Sequence, residues 1–136
     1  MKIAKAPLRI SLLGGGSDFP EFFSRNEGAV LGGTIDKYVY VSVLEMSKVA
    51  EFRYRFTYRN IEETNSKHEI RHPVIRTLLH QYPNIQSLNI ATFSDLPGNS
   101  GLGSSSAFAV AAISAFKAFC GDVLNPLEIA KASIQL

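Results

Sequence analysis

The chain has 136 residues, 46% hydrophobic and 19% charged, with 14 Lys and Arg against 12 Asp and Glu for a net charge of +2. That apolar share excludes a disordered tail and suffices for one domain with its own core, while so small a charge gives no electrostatic reason to expect nucleic acid or a membrane surface as partner. One cysteine, Cys120, excludes an internal disulfide, and the opening MKIAKAPLRISLL lacks the unbroken apolar run of a secretion signal. The expectation is a cytoplasmic domain that mixes helices and strands.

Residues 3–13 mix Ile, Leu and Ala with Lys5 and Arg9, predicting one or two short strands interrupted at Pro7. Gly14, Gly15 and Gly16 break that pattern. Asp18 and Glu21 stand at capping-box spacing around Pro20, so a short helix to about residue 25 is predicted, with Asp18 as its N-cap. Residues 29–35 and 38–45 read as a pair of strands; 38–43 are almost all β-branched or aromatic, which implies cover on both faces. Residues 51–58 alternate Phe52, Tyr54, Phe56 and Tyr58 with Arg53, Arg55 and Thr57, the pattern of an antiparallel strand with one solvated side.

Residues 59–68 read as polar loop. Val74, Leu78 and Tyr82 behind Pro73 predict a helix over 73–82, and 87–93 alternate as another strand. Residues 107–119 contain only Ser114 and Lys117 as polar side chains, so this helix is packed nearly all round and central. Asn125, Pro126 and Glu128 open a further helix that meets no stop signal before Leu136, the pattern expected of a truncated chain.

Between the last strand and the apolar helix lies Pro97-Gly98-Asn99-Ser100-Gly101-Leu102-Gly103-Ser104-Ser105-Ser106. A glycine-rich loop feeding a helix N-terminus offers free backbone N–H groups and about half a positive charge, which suit a phosphate chain. Gly101 and Gly103 permit positive φ and close approach, and the serines add hydroxyls. It is not a P-loop, because Ser104 stands where Lys is required, nor a dinucleotide fingerprint, because Ser106 replaces the third glycine. A serine-rich cap on a core helix is the plain alternative.

Other residues lend themselves to weaker readings. His68-Glu69-Ile70-Arg71-His72 matches the zinc-protease pattern literally, but Pro73 breaks the helix that pattern needs, so a strand end before a helix start is expected. Arg53, Arg55 and Arg59 read as a solvated face, His80 as exposed, and Cys120 as a small buried hydrophobe. Asp36 and Tyr38 fit either an active-site lining or a strand edge.

Pro97, Gly101, Leu102, Gly103, Ser104, Ser105, Ser106 and Ala107 match, position for position, the motif Pro-x-x-x-Gly-Leu-Gly-Ser-Ser-[Ser/Gly/Ala]-Ala, so this segment resembles the phosphate loop of the GHMP kinases. The segment from Ala6 to Asp18 is similar to that superfamily's first motif, with Arg9 at its basic position and Asp18 at its sugar-binding carboxylate. Gly15 and Gly16 replace the Glu-His pair of galactokinases. APLRISLLGGGSDFPEFF, TIDKYVYV and IRHPVIR look instead like the heptose 7-phosphate kinases within the superfamily.

The resemblance implies an α+β fold like ribosomal protein S5 domain 2, with a mixed sheet packed against helices. Residues 1–136 would form the ATP-binding amino-terminal domain, with the carboxyl-terminal domain absent. ATP and Mg2+ would be the cofactors. Pro97, Gly98, Ser100, Gly101, Leu102, Gly103, Ser104, Ser105 and Ser106 would hold the ATP phosphates, and Ser105 the magnesium together with a Glu beyond the chain end. Arg9 would be catalytic, and Gly15, Gly16, Ser17 and Asp18 would bind substrate. The reaction implied is transfer of the γ-phosphate to the anomeric hydroxyl of D-glycero-D-manno-heptose 7-phosphate, with the catalytic Asp also beyond the chain end and the fragment alone inactive. The alternatives are a fucose- or galactose-type kinase of the superfamily, or a non-catalytic module for nucleotides or sugar phosphates. Partners are then a small sugar phosphate and ATP, with no nucleic acid and no membrane.

Overall fold

A computed structural model describes residues 1–47, 49–98 and 100–136, with the side chain of Asp18 outside the described set. Five strands, β1 (Lys2–Leu13), β2 (Leu31–Leu44), β3 (Tyr54–Thr57), β4 (Ile61–Thr64) and β5 (Leu88–Ser94), form one sheet in the order β1-β2-β5-β3-β4. β3 runs parallel to β5 and the other pairs are antiparallel, so the sheet is mixed. The helices are α1 (Pro20–Phe23), α2 (Pro73–Gln81), α3 (Ser104–Cys120) and α4 (Pro126–Gln135), with 3-10 turns at Gly15–Asp18 and Lys67–Glu69. The α+β architecture expected from the sequence is the one observed.

Period-two alternation sends Ala6, Leu8, Val39, Val41, Val43, Tyr54, Phe56, Leu88 and Ile90 to one face of the sheet, where all are buried. Against that face lies α3, touching both β1 and β2. Its Ala107, Ala111, Ala112 and Ala115 let the backbone approach closely, while Ile113 and Phe116 fill the space beside α2 and its buried Ile75, Leu78 and Leu79. The central helix read from residues 107–119 is therefore real and starts three residues earlier, within the serines.

Several expectations are corrected. Pro7 does not interrupt β1: it pairs with Tyr38 on the edge strand, where a missing N–H is tolerated, and the register shifts between Pro7 and Arg9. The two strands expected over 29–45 are one, because Asp36 and Lys37 stay extended and Tyr38 exchanges hydrogen bonds with Asp95 just past β5. Within 38–43, Val39, Val41 and Val43 are buried while Tyr38, Tyr40 and Ser42 are half-buried, so only one face is fully covered.

The strand expected over 51–58 is confined to Tyr54–Thr57, and it is parallel to β5 as well as antiparallel to β4. The polar segment 59–68 holds β4 and part of a 3-10 turn, since a hairpin partner of a central strand needs few apolar side chains. The N-cap of α1 is Phe19 and not Asp18, whose backbone belongs to the preceding 3-10 turn, and α1 ends at Phe23.

β2 outruns the sheet. It pairs with β5 only from Val39 to Leu44, but with β1 along its length, so residues 9–13 and 31–34 form a two-stranded arm. Ile10, Leu12, Leu13 and Leu31 on this arm are exposed.

Candidate active site at the amino end of the central helix

The loop after β5 starts from a fixed corner. Ser94 Oγ donates to the Leu96 carbonyl at 2.7 Å, Tyr38 N–H donates to the Asp95 carboxylate at 2.8 Å, and Asp95 N–H donates to the Tyr38 carbonyl at 3.0 Å. Gly101 and Gly103 then adopt left-handed φ values of 73° and 72°, which only glycine takes without strain. Between them Leu102 packs against the core and its carbonyl accepts the Arg9 N–H at 2.9 Å, tying the loop to β1.

Gly103 is the N-cap of α3 and provides no side-chain cap. The helix closes its first bond from Ala107 N–H to the Gly103 carbonyl at 3.0 Å, so Ser104, Ser105 and Ser106 N–H have no partner within the helix. Three donors at the positive end of a 17-residue helix are a ready anion site. Arg9 adds a cation beside them: a Cβ on Gly103 would come within 3.0 Å of Arg9 Cγ and Nε. Gly101, Gly98 and Ser100 are exposed around this centre, as is Pro97, and Ser105 and Ser106 are exposed at its rim.

The second cluster of candidates lies along the arm. Gly15, Gly16 and Ser17 form the 3-10 turn with the Asp18 backbone, while the Asp18 side chain, the expected sugar ligand, lies outside the described set. Nothing among the described residues approaches a Cβ on Gly16 within 4 Å, so on that side its backbone is open. Ser17 is turned inward: its hydroxyl donates to the Gly14 carbonyl at 2.7 Å and reaches the Ala29 carbonyl at 3.1 Å, leaving only lone pairs for substrate. Asp36 and Tyr38 are neighbours on β2, and the Asp36 carboxylate, accepting from the Tyr38 hydroxyl, pushes the phenol pKa up. Lys5 Nζ lies 4.2 Å from the centre of the same ring.

A hollow of about 240 Å3 opens beside the loop, walled by Phe56, Tyr58, His72, Thr92, Ser104 and Phe108 among others. Sequence spacing did not single out this set as a site, since its members come from β3, β5, α3 and the start of α2. Their aromatic residues read individually as core. Two of its lining residues carry buried side-chain atoms with no hydrogen-bond partner among the described residues, His72 Nδ1 and Thr92 Oγ1, a juxtaposition that exists only in three dimensions.

His68 and His72 do not share a helix face. His68 sits in the 3-10 turn with its ring 4.7 Å from that of His80, which is exposed as expected, whereas His72 is the extended N-cap residue before Pro73. Among the described residues no group of three or more His, Cys, Asp or Glu is placed to hold a metal ion. Arg55 Nε lies 3.3 Å from Glu63 Oε1 with both side chains over a third exposed, while Arg53 and Arg59 are exposed, a solvated face worth little energetically. Cys120 is exposed at the end of α3, not buried as expected, because the helix runs past its contact with the sheet. Partial burial and the nearby Asp122 carboxylate push its thiol pKa up, away from a reactive thiolate. No helix among the described residues is long and apolar enough to cross a membrane.

Residues 69–136 match the family model described as the GHMP kinases N terminal domain. The chain is 26% identical, over 97% of its length, to D-glycero-alpha-D-manno-heptose 7-phosphate kinase of Campylobacter jejuni, and 31% identical, over 98% of its length, to galactokinase of Thermosipho africanus. Its fold superposes on the crystal structure of a D-glycero-D-manno-heptose 1-phosphate kinase from Bacteriodes thetaiotaomicron with a TM-score of 0.83 and 26% identity, covering 99% of this chain. The chain spans less than half of each of these relatives: 42%, 37% and 47%.

Proposed function

From a chain that belongs to the GHMP kinase family, as an N-terminal domain of it, we infer an ATP-dependent kinase that phosphorylates a sugar, with a heptose 7-phosphate as acceptor. One observation carries this reading: three N–H groups at the mouth of α3 without a hydrogen-bond partner among the described residues, opened by two left-handed glycines, with the Arg9 side chain laid across Gly103. A terminal phosphate held there is met by backbone dipoles on one side and a guanidinium on the other. Charge that spreads over the transferring oxygens is then stabilised without reorganising the site.

In the proposed reaction the sugar hydroxyl oxygen forms a bond to the γ-phosphorus, the bond to the β,γ-bridging oxygen breaks, and ADP leaves while the hydroxyl loses its proton. Arg9 bears on the transferred group. The open backbone of Gly15 and Gly16, together with Ser17 and Asp18, bears on the sugar. Mg2+ would supply charge neutralisation of the phosphates; Ser105 offers it one hydroxyl, and no cluster of carboxylates accompanies that hydroxyl among the described residues.

One feature of the sequence favours a heptose phosphate over galactose: Gly15 and Gly16 stand where the galactose enzymes have a Glu-His pair. The test is coupled ADP release from the parent protein with D-glycero-D-manno-heptose 7-phosphate and with galactose. Turnover with the heptose phosphate and little with galactose supports the reading, and the reverse order replaces it with the galactokinase reading. The 136-residue chain assayed alone is expected to bind nucleotide and give no turnover.

A further inference from the structure

Two of the three histidines form a pair away from the loop before α3. The rings of His68 and His80 stand 4.7 Å apart between centres, with 54° between their planes. His68 belongs to the 3-10 turn Lys67–Glu69 and His80 to the last turn of α2, and both residues are exposed. The partner of His68 is therefore not the His72 of the literal zinc-protease pattern but a histidine at the far end of the next helix.

Turn and helix are held together by bonds that do not involve the rings. Lys67 Nζ donates to the carbonyls of Tyr82 and Pro83, each at 3.0 Å, just past the end of α2. The Ser66 hydroxyl caps the turn by accepting the His68 N–H at 3.4 Å. Buried Ile70 and Leu79, each next in sequence to these elements' exposed faces, seat both on the core. The two rings thus meet on a scaffold that is already fixed, so a ligand that joins them has little further chain to order.

Two imidazoles that share one metal ion at about 2.0–2.1 Å, at an angle of roughly 90–110°, have their ring centres roughly 4.5–5.2 Å apart. The observed 4.7 Å falls inside that range, and a 54° tilt is not parallel stacking. Exposed imidazoles turn readily about Cβ–Cγ, which brings a nitrogen of each to a shared point.

We propose that His68 and His80 form a two-histidine site for a divalent transition ion of the zinc, copper and nickel group, clasping the 3-10 turn to α2. Imidazole nitrogen suits those ions and not Mg2+, which takes oxygen ligands, so the site differs in chemistry from one for the ion that accompanies a nucleotide. Among the described residues no third His, Cys, Asp or Glu completes the set, so the remaining positions fall to water and the ion exchanges freely. The proposal does not rest on the phosphate reading of α3.

The experiment is calorimetric titration of the 136-residue chain with Zn2+. The parent for it is Cys120→Ser, because the exposed thiol is a competing soft ligand. Expected are one Zn2+ per chain and a loss of about tenfold or more in affinity for each of His68→Ala and His80→Ala. With Zn2+ at a hundred times the parent's Kd, Tm should rise by roughly 10 °C in the parent and by about half as much or less in either variant. Imidazole 15N resonances of His68 and His80 should move together with Zn2+, those of His72 should stay, and Mg2+ should move none of them. Equal Zn2+ affinity in parent and variants overturns the proposal, because the ion then sits elsewhere. Loss at one histidine only overturns it too, since a single ligand is no chelate, and so does an absence of Zn2+ binding. The resonances of the parent decide the matter should either variant fail to fold.

Discussion

The side chain of Arg9 lies across Gly103 so closely that the glycine's missing Cβ is what makes room for it, with Cγ and Nε both 3.0 Å from where that atom would stand. The same two residues flank a second link, from Arg9 N–H to the carbonyl of Leu102. Strand and loop are thus registered to each other by backbone and side chain, independently of any ligand.

This relationship grades the left-handed glycines. Gly101→Ala meets only the backbone strain of φ +73°, with no atom of the described residues within 4 Å, and should cost about 1 kcal/mol. Gly103→Ala carries the same strain and displaces Arg9 as well. Gly14→Ala drives a Cβ to 1.9 Å from the Ala29 carbonyl oxygen and should be the most damaging of the three. Thermal melts should rank them in that order, with Gly101→Ala lowering Tm by roughly 4 °C. Equal losses at Gly101 and Gly103 would contradict the close approach of Arg9.

Arg9→Ala should leave the fold nearly intact, because its backbone bond to Leu102 survives and its side chain is exposed. Affinity for tripolyphosphate should fall by about tenfold or more, the scale of a lost charge-assisted hydrogen bond. Arg9→Lys should recover part of the loss, since it keeps the charge without the planar fork. An unchanged titration for Arg9→Ala places the anion elsewhere.

Burial pushes the His72 pKa down, partly offset by the Glu62 carboxylate, which pulls it up. The unfolded chain therefore binds more protons than the native one below about pH 6.5, and stability present above that value declines as pH falls toward the depressed native pKa. Melts between about pH 7.5 and about pH 5 should show a steeper loss for wild type than for His72→Asn. Parallel curves would mean that the ring is freely solvated.

Tyr82 is pushed up to about 12, first by burial and then by its hydroxyl bond to Asp122 at 3.2 Å. Its folded pKa lies above the ordinary value near 10, so the stability it contributes is intact below about pH 10 and is lost as pH rises through 12. Ultraviolet titration of the five tyrosines should end on a last step near pH 12, above those of Tyr38 and Tyr54, which are also raised, and Tyr82→Phe should remove that last step.

Much of this was legible in residues 97–107, where glycines and serines in front of a nearly pure apolar helix leave few structural options. The helices behind Pro73 and Pro126 were equally plain, and Asn125 Oδ1 does accept from Leu127 and Glu128 N–H as its capping-box spacing predicts. What was not legible has two causes. β4 closes a tight hairpin on β3 with polar residues that show no apolar alternation, while the unbroken course of β2 depends on Asp95, 57 residues from Tyr38. The same is true of the hollow, whose walls are drawn from β2, β3, β5, α3 and the start of α2. Local spacing carries a glycine turn or a capped helix, but it does not carry a neighbour forty residues away.

In the arm of residues 9–13 and 31–34 each strand pairs only with the other, and Ile10, Leu12, Leu13 and Leu31 on it are exposed. Arg9 stands at its root, where the stiff body ends. The arm is therefore joined to the loop before α3 through the Arg9–Leu102 link at its root, and its amide hydrogens should trade for deuterium well ahead of those in Val39–Val43.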